Sequence, residues 1–266
     1  MRQLGQDAIG WDFEDIDISK KEEMQKIIGL KPDLIINCAA YNAVDQAETD
    51  REKAMNINTY AVGYLAETAK ALNTKIIHFS TDFVFDGTNP NGYKEDDAPN
   101  PQSVYAESKY LGEKLLQEKA DKFYLIRLCA LFGRSGGSGL SKKNFIDKRI
   151  EDAKAGKEII MVDDEFASPT YAPDLVKTTL FIVNNNLPFG IYHGTNSGFC
   201  SWCDFTKKIF EIAKIDARII PIFGDKLCRP AKRPKKARLL NTKLPQLRNY
   251  EEALREYIYE TFSNNG

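Results

Sequence analysis

The sequence predicts an α/β fold: a doubly wound parallel sheet followed by a smaller C-terminal lobe. Three observations carry that reading. Short β-rich runs alternate with longer stretches of helical spacing through the first half. Such alternation builds βαβ units, whose crossovers leave the strands parallel and cover both faces of the sheet. After Gly133 the alternation loosens, and the 266 residues, 42% hydrophobic and 28% charged, suffice for one large domain plus a lobe.

Taken in order, residues 8–11 form a first strand candidate, followed by strands at 33–37, 75–79 and 123–127. Helices are expected over 20–28, 50–72 and 104–120; in the last, Tyr110, Leu111, Lys114 and Leu115 show the spacing of a two-faced helix. Residues 134–139 read as a glycine-rich loop. It is not a phosphate-binding loop, since no Gly-Lys-Ser/Thr follows at the required offset. A strand at 158–162 and a helix at 172–183 are expected to return to the main sheet. From Ile191 a smaller mixed lobe follows, ending in a helix at 250–262. Asn184–Asn186 reads as a loop and 264–266 as a frayed end.

Composition excludes several classes. With 37 Lys+Arg against 38 Asp+Glu, net charge −1, no whole-surface attraction to nucleic acid or an anionic membrane is expected. No apolar run approaches the ~20 residues that span a bilayer. The polar start, residues 1–7, is no signal peptide, so a cytoplasmic protein is expected. Five scattered cysteines argue against a disulfide framework. Cys200 and Cys203 form a C-x-x-C pair, but Ser201 followed by Asp204 reads as a helix N-cap, which makes them helix-start residues rather than zinc or redox ligands.

The chemistry concentrates in Tyr105-Ala106-Glu107-Ser108-Lys109. Residues four apart share a helix face, so Tyr105 and Lys109 point the same way. A free tyrosine has a pKa of about 10, and a lysine cation beside it favours the phenolate, moving it toward useful acid–base range. The strand at 75–79 runs into Ser80-Thr81-Asp82, placing hydroxyls beyond a parallel strand's carboxyl end, where open α/β sheets hold ligands. A Tyr-x-x-x-Lys pair alone is common. Strand, hydroxyl, acidic loop and helix in this order favour function over a chance surface pair.

Other features read as structural. His78, within a strand, and His193 are expected to be satisfied core residues, and Trp11 and Trp202 to pack. The cluster Arg229, Lys232, Arg233, Lys235, Lys236 and Arg238 lacks the aromatic interleaving of a base-stacking surface. It reads as a surface loop able to lend one or two arginines to a diphosphate. Glu95-Asp96-Asp97 is a solvated loop, and no ligand spacing indicates magnesium or another metal.

Long motifs then resemble a known family. Residues 80–87 (Ser-Thr-Asp-Phe-Val-Phe-Asp-Gly), 93–97 and 99–105, with the 37–48 stretch beginning Asn-Cys-Ala-Ala-Tyr, the Ile57-Asn58 step, Ser168-Pro169-Thr170, Arg233-Pro234 and Asn241-Thr242-Lys243, resemble dTDP-4-dehydrorhamnose reductases over nearly the whole chain. The resemblance implies a Rossmann-like sheet and hydride transfer from NADPH or NADH to the C4 keto group of a dTDP-linked deoxysugar. It implies Tyr105 as proton donor, Lys109 as ribose ligand lowering the Tyr105 pKa, and Thr81 as the residue orienting the keto oxygen. Asn37, Ala39, Ala40, Tyr41, Asn58 and Ser80 would line the cofactor cleft, with Asp12, Asp17 and Ile18 toward the adenosine. Asp82, Val84, Phe85, Asn144 and Arg233 would meet substrate. The implied division is a dinucleotide-binding region at 1–132, joined by 158–183, and a mainly substrate-binding lobe at 133–266. A homodimer is compatible with it.

Two departures stand out. The family opens with a strand and a glycine-rich turn. Here the better alignment makes 1–4 the end of the first helix, Gly5 its cap and 8–12 the second strand, so that the fold lacks its first strand and turn. The expectation is an N-terminally incomplete member that by itself binds dinucleotide weakly or not at all. The family also carries tryptophan where Ala130 stands, a ring that packs on the sugar, while its serine near Arg233-Pro234 is Ala237 here. These departures leave a second reading open, a non-catalytic subunit of the methionine adenosyltransferase β-subunit kind. The intact Thr81, Tyr105 and Lys109 set favours the enzyme.

Overall fold

The computed structural model describes residues 8–134 and 144–263. The expected helix end at 1–4, its Gly5 cap, most of the glycine-rich loop and the 264–266 tail lie outside them. In chain order, a 3-10 turn at Lys21–Glu23 leads into α1 (Met24–Leu30) and then β1 (Leu34–Asn37). α2 (Arg51–Met55), a π-turn (Asn56–Tyr60) and α3 (Ala61–Ala71) form one interrupted helical run. β2 (Lys75–Thr81), α4 (Val104–Lys119) and β3 (Phe123–Leu128) complete the first part. The second part holds β4 (Leu131–Phe132), α5 (Phe145–Lys154), β5 (Ile159–Val162), β6 (Phe166–Ala167), β7 (Thr170–Tyr171) and α6 (Ala172–Asn184). It continues with β8 (Gly190–His193), β9 (Cys200–Ser201), α7 (Trp202–Ala213), β10 (Ile219–Ile222) and α8 (Tyr250–Ile258).

The main sheet has the order β1-β2-β3-β8, parallel throughout. Strand alternation sends Ile35, Ile76 and Leu125 to one face, where Met24, Ile27, Leu65, Ala69 and Leu116 cover them from α1, α3 and α4. Ile77, Tyr124, Ile126 and Tyr192 face the other way, against Leu175 and Ile182 of α6. Helices on both faces make the sheet doubly wound, as expected. Among the described residues β1 has a neighbour on one side only.

Helix α4 starts at Ser103, whose hydroxyl accepts from Ala106 N at 3.3 Å, while Val104 N donates to Glu48 Oε1 at 2.9 Å. Its middle lies backbone to backbone on the π-turn: a Cβ at Gly112 would stand 2.1 Å from Asn58 O. At the next residue of α4, Glu113 receives the fully buried Arg127 of β3, which forks onto it with Nη2–Oε2 2.7 Å and Nε–Oε1 3.0 Å.

The C-terminal lobe has its own core, built from Ile146 and Ile150 of α5, Phe205 and Ile209 of α7, and Leu254 and Tyr257 of α8 around β5. Three sequence expectations are corrected here. Residues 8–12 form no strand. Ile9 and Trp11 are exposed, and no described strand lies beside them to supply a ladder. The strand expected to return at 158–162 instead pairs with β10 in the lobe. The sheet's fourth strand is β8, which the sequence reading had placed mostly in the lobe; α6 does return to the sheet as expected. Ser201 caps α7 by accepting from Asp204 N, and Cys200 and Cys203 are buried and free. Among the described residues no group of His, Cys, Asp and Glu could hold a metal, and no helix is long and apolar enough to cross a membrane.

Candidate active site

Parallel pairing brings the carboxyl ends of β1 and β2 to one rim, and α4 packs its first two turns against it. Thr81 ends β2. Its hydroxyl accepts from Phe83 N at 3.2 Å and donates to Asp82 Oδ1 at 3.1 Å, opening the short turn Asp82–Val84. Tyr105 is buried, edge-on to Phe83 with ring centroids 5.7 Å apart. Burial pushes its phenol up to about 12, and a hydrogen bond with Thr81 acts the other way. Lys109, also buried, donates from Nζ to Phe79 O at 2.7 Å and lies 3.4 Å from His78 Nε2. Burial lowers its amine to about 8, against the pull of Glu113. Thr81 and Tyr105 meet at this rim, while Lys109, one turn along α4, points its amine to Phe79 O and His78. The lowering of the Tyr105 pKa by Lys109 is not what the geometry gives: the amine is turned to Phe79 and His78, and desolvation of the phenol dominates.

The cleft beyond β1 is knitted by amides. Asn37 Oδ1 accepts from Ala39 N at 3.1 Å, and its Nδ2 lies 3.1 Å from His78 Nδ1. Asn58 accepts from Tyr41 N at 2.9 Å and donates to Tyr41 O and Ser108 Oγ, both at 3.0 Å. It therefore ties the loop holding Ala40 to the turn of α4 between Tyr105 and Lys109. Ser80 Oγ is buried, with no hydrogen-bond partner among the described residues. The expected adenosine-side residues stand apart from this knot. Asp12 is exposed and accepts from Phe13 N, Asp17 accepts from Ser19 N and Oγ, and Ile18 packs on the core beneath α1 and α3.

On the substrate side, Asp82 is buried and receives Cys129 Sγ–H at 2.8 Å. Burial raises its carboxyl to about 6, with the Cys129 and Thr81 hydrogen bonds opposing. Asp82 and Phe83 open onto a cavity of about 390 Å³ walled by Ala130, Phe145, Trp202 and Phe166, with Arg149, Arg229 and Arg233 among its lining. Arg233 reaches the site but forks onto Asp45, with Nη2–Oδ2 2.7 Å and Nη1–Oδ1 2.9 Å. Arg229 pairs with Glu165 and Lys235 with Asp164, so much of the basic cluster is neutralised locally. Three expected substrate residues have structural places. The side chains of Val84 and Phe85 are fully buried, Phe85 stacking on Tyr93 at 4.3 Å, which leaves only their backbone for a ligand. Asn144 caps α5 by accepting from Asp147 N and donates to Tyr257 Oη.

Sequence reading treated His78 as core and passed over Asp45 and Cys129. His78 is core by burial, yet it touches Lys109. The available signal was strand alternation, which puts residues 76, 78 and 80 on one face.

The profile of the family described as the RmlD substrate binding domain matches residues 1–263. The spore coat polysaccharide biosynthesis protein SpsK of Bacillus subtilis is 32% identical, over 99% of this chain and 92% of that protein. The dTDP-4-dehydrorhamnose reductase of Aggregatibacter actinomycetemcomitans is 38% identical, over 78% of this chain and 70% of that protein. Among solved structures, the dTDP-4-dehydrorhamnose reductase of Bacillus anthracis in complex with NADP superposes with a TM-score of 0.92 at 32% identity, covering 98% of this chain and 92% of that one. The chain belongs to the RmlD substrate binding domain family, and with it to the oxidoreductases of short-chain dehydrogenase/reductase type.

Proposed function

We propose that this family member uses NADPH or NADH to reduce the 4-keto group of a dTDP-linked deoxysugar, a step of the dTDP-rhamnose type. The placement of Thr81 against Tyr105, next to Asp82 and Phe83 on the wall of the 390 Å³ cavity and one helical turn from Lys109, carries the reading. Three features fit the nicotinamide-ribose end of a dinucleotide at the rim of β1 and β2. Ser80 Oγ lacks a partner among the described residues, the Lys109 amine keeps donor capacity beyond Phe79 O, and Asn58 fixes the loop around Ala40 and Tyr41. The nicotinamide, when bound, supplies the hydride.

The chain's own groups handle the proton. A phenol held near 12 stays protonated at physiological pH, the state a general acid needs. Thr81, at hydrogen-bonding distance of that phenol and of Asp82, orients the keto oxygen toward it. Arg149, Arg229 and Arg233 give the cavity the guanidinium character that suits a diphosphate. Phe145 and Trp202, with ring centroids 4.8 Å apart, supply an aromatic wall of the cavity that Ala130 also lines.

The test is a titration of NADH and NADPH followed by nicotinamide fluorescence, then an assay with a dTDP-4-keto-6-deoxysugar, with Tyr105→Phe as control. Weak nucleotide binding and Tyr105-dependent oxidation of the nucleotide at high concentration are expected. A folded chain with no Tyr105-dependent turnover at high nucleotide concentration overturns the reading.

A further inference from the structure

The ring of His78 is fully buried between Asn37 and Lys109, on the face of β2 that meets α4. Donor and acceptor identities along this chain of contacts fix where its proton lies. Ala39 N–H can only donate, so the end of the Asn37 side chain 3.1 Å away is the carbonyl oxygen. The other end is then the NH2 group, and it points at His78 Nδ1 from 3.1 Å. Nδ1 must accept. Burial holds the imidazole well below its ordinary pKa, so the ring is neutral. A neutral imidazole that accepts at Nδ1 carries its hydrogen on Nε2. That N–H faces Lys109 Nζ at 3.4 Å. An ammonium has donors only and meets an N–H unfavourably. An uncharged amine offers a lone pair to it and still donates to Phe79 O at 2.7 Å.

We propose that His78, fixed as its Nε2–H tautomer by Asn37, is a positioning residue that favours the uncharged form of Lys109. The charges around the amine do not undo this. Glu113, one turn along α4, is the carboxylate that acts on Lys109, and it is already held by Arg127. From β2 the facing titratable group is His78 itself, whose far nitrogen meets the uncharged Asn37 of β1. Charging Lys109 comfortably requires the imidazole proton to move to Nδ1, the Asn37 amide to rotate, and Ala39 N–H to lose its acceptor. Only the kinetic consequence rests on the reductase reading; the tautomer does not.

The chain has two histidines, and they make an internal control. His193 Nδ1 lies 3.0 Å from Leu240 O, a group that only accepts, so His193 is the Nδ1–H tautomer. The protein labelled with 15N-histidine is therefore expected to show one ring of each tautomer by long-range 15N–1H correlation, with His193→Gln assigning the Nε2–H ring to His78. Should that variant not fold, finding both native rings as Nδ1–H overturns the proposal. In Asn37→Asp the carboxylate accepts from both Ala39 N and the imidazole, so the His78 ring should switch to Nδ1–H. The upper limb of the kcat/KM–pH profile should then move up by about one unit, roughly a tenfold change in proton affinity. His78→Leu, which removes the N–H without adding charge, should move that limb in the same direction. A limb that follows the added carboxylate but ignores His78→Leu overturns the positioning role. A wild-type chain with no turnover instead sinks the reductase reading, while the tautomer spectrum still decides this one.

Discussion

Helix α4 carries Lys109 and Glu113 one turn apart, both buried, and the fold treats them in opposite ways. Glu113 receives a forked guanidinium from Arg127, whose ring contact with Phe85 (5.0 Å) and bond to Glu95 O (3.2 Å) complete the pairing. Lys109 receives a carbonyl, an imidazole and no carboxylate fork. A buried charge that is fully paired becomes fixed structure. One left to neutral partners sits near its titration point and can exchange a proton. The same helix therefore carries a rigid strut and a reactive edge, separated by a single turn.

Tyr105→Phe attacks the reactive edge and should give the largest effect: turnover falling by about 10²–10⁴-fold with melting temperature nearly unchanged. Comparable loss of stability and activity together would mean the phenol is a packing group. Arg127→Met attacks the strut and is expected to destabilise by about 3–5 kcal/mol in urea unfolding, because it strands Glu113. Adding Glu113→Leu should recover much of that loss; a double variant as unstable as the single would show that the pair does more than neutralise itself.

Asp82 tests the reactive side by pH. Its carboxyl sits at about 6 in the folded chain against 3.8 ordinarily, so the folded state holds the proton more tightly than the unfolded one. Stability from this group accordingly falls as pH rises from 3.8 through 6, and the penalty is complete above that. Asp82→Asn should gain on the parent across that window, by about 1–3 kcal/mol after allowing for altered hydrogen bonds to Cys129 and Thr81. A difference that stays flat between pH 4 and 7.5 would remove Asp82 from the titrating set. The smallest effect belongs to Asp45→Ala, which breaks a partly exposed pair worth less than about 1 kcal/mol. It frees Arg233, so KM for the dTDP-sugar should drop; an unchanged KM argues against a diphosphate role for that arginine.

The strands β1, β2 and β3 were legible because each is a compact apolar run set between helical spacings, and Tyr105 with Lys109 because four-residue spacing is local. The fate of 159–162 was not. Parallel partners are chosen by distant packing, and Ile-Ile-Met-Val suits the lobe as well as it suits the main sheet. β8 is Gly-Ile-Tyr-His, with one aliphatic residue against the three of β1, too weak a run to announce itself. His78 looked like core because it is core. Its contact with Lys109 exists only once β2 and α4 are docked, and no sequence period links the two positions.

That docking hangs on very little. The bare Cα of Gly112 is what lets α4 rest on Asn58 O, and any side chain there must lever the helix outward. Since Tyr105 and Lys109 ride on the same rod, one added methyl at position 112 would misaim both while leaving every reactive atom in place. For anyone mutagenising this protein, position 112 is a silent off-switch: invisible to a search for chemical groups, and the first place to look when a variant folds but does not work.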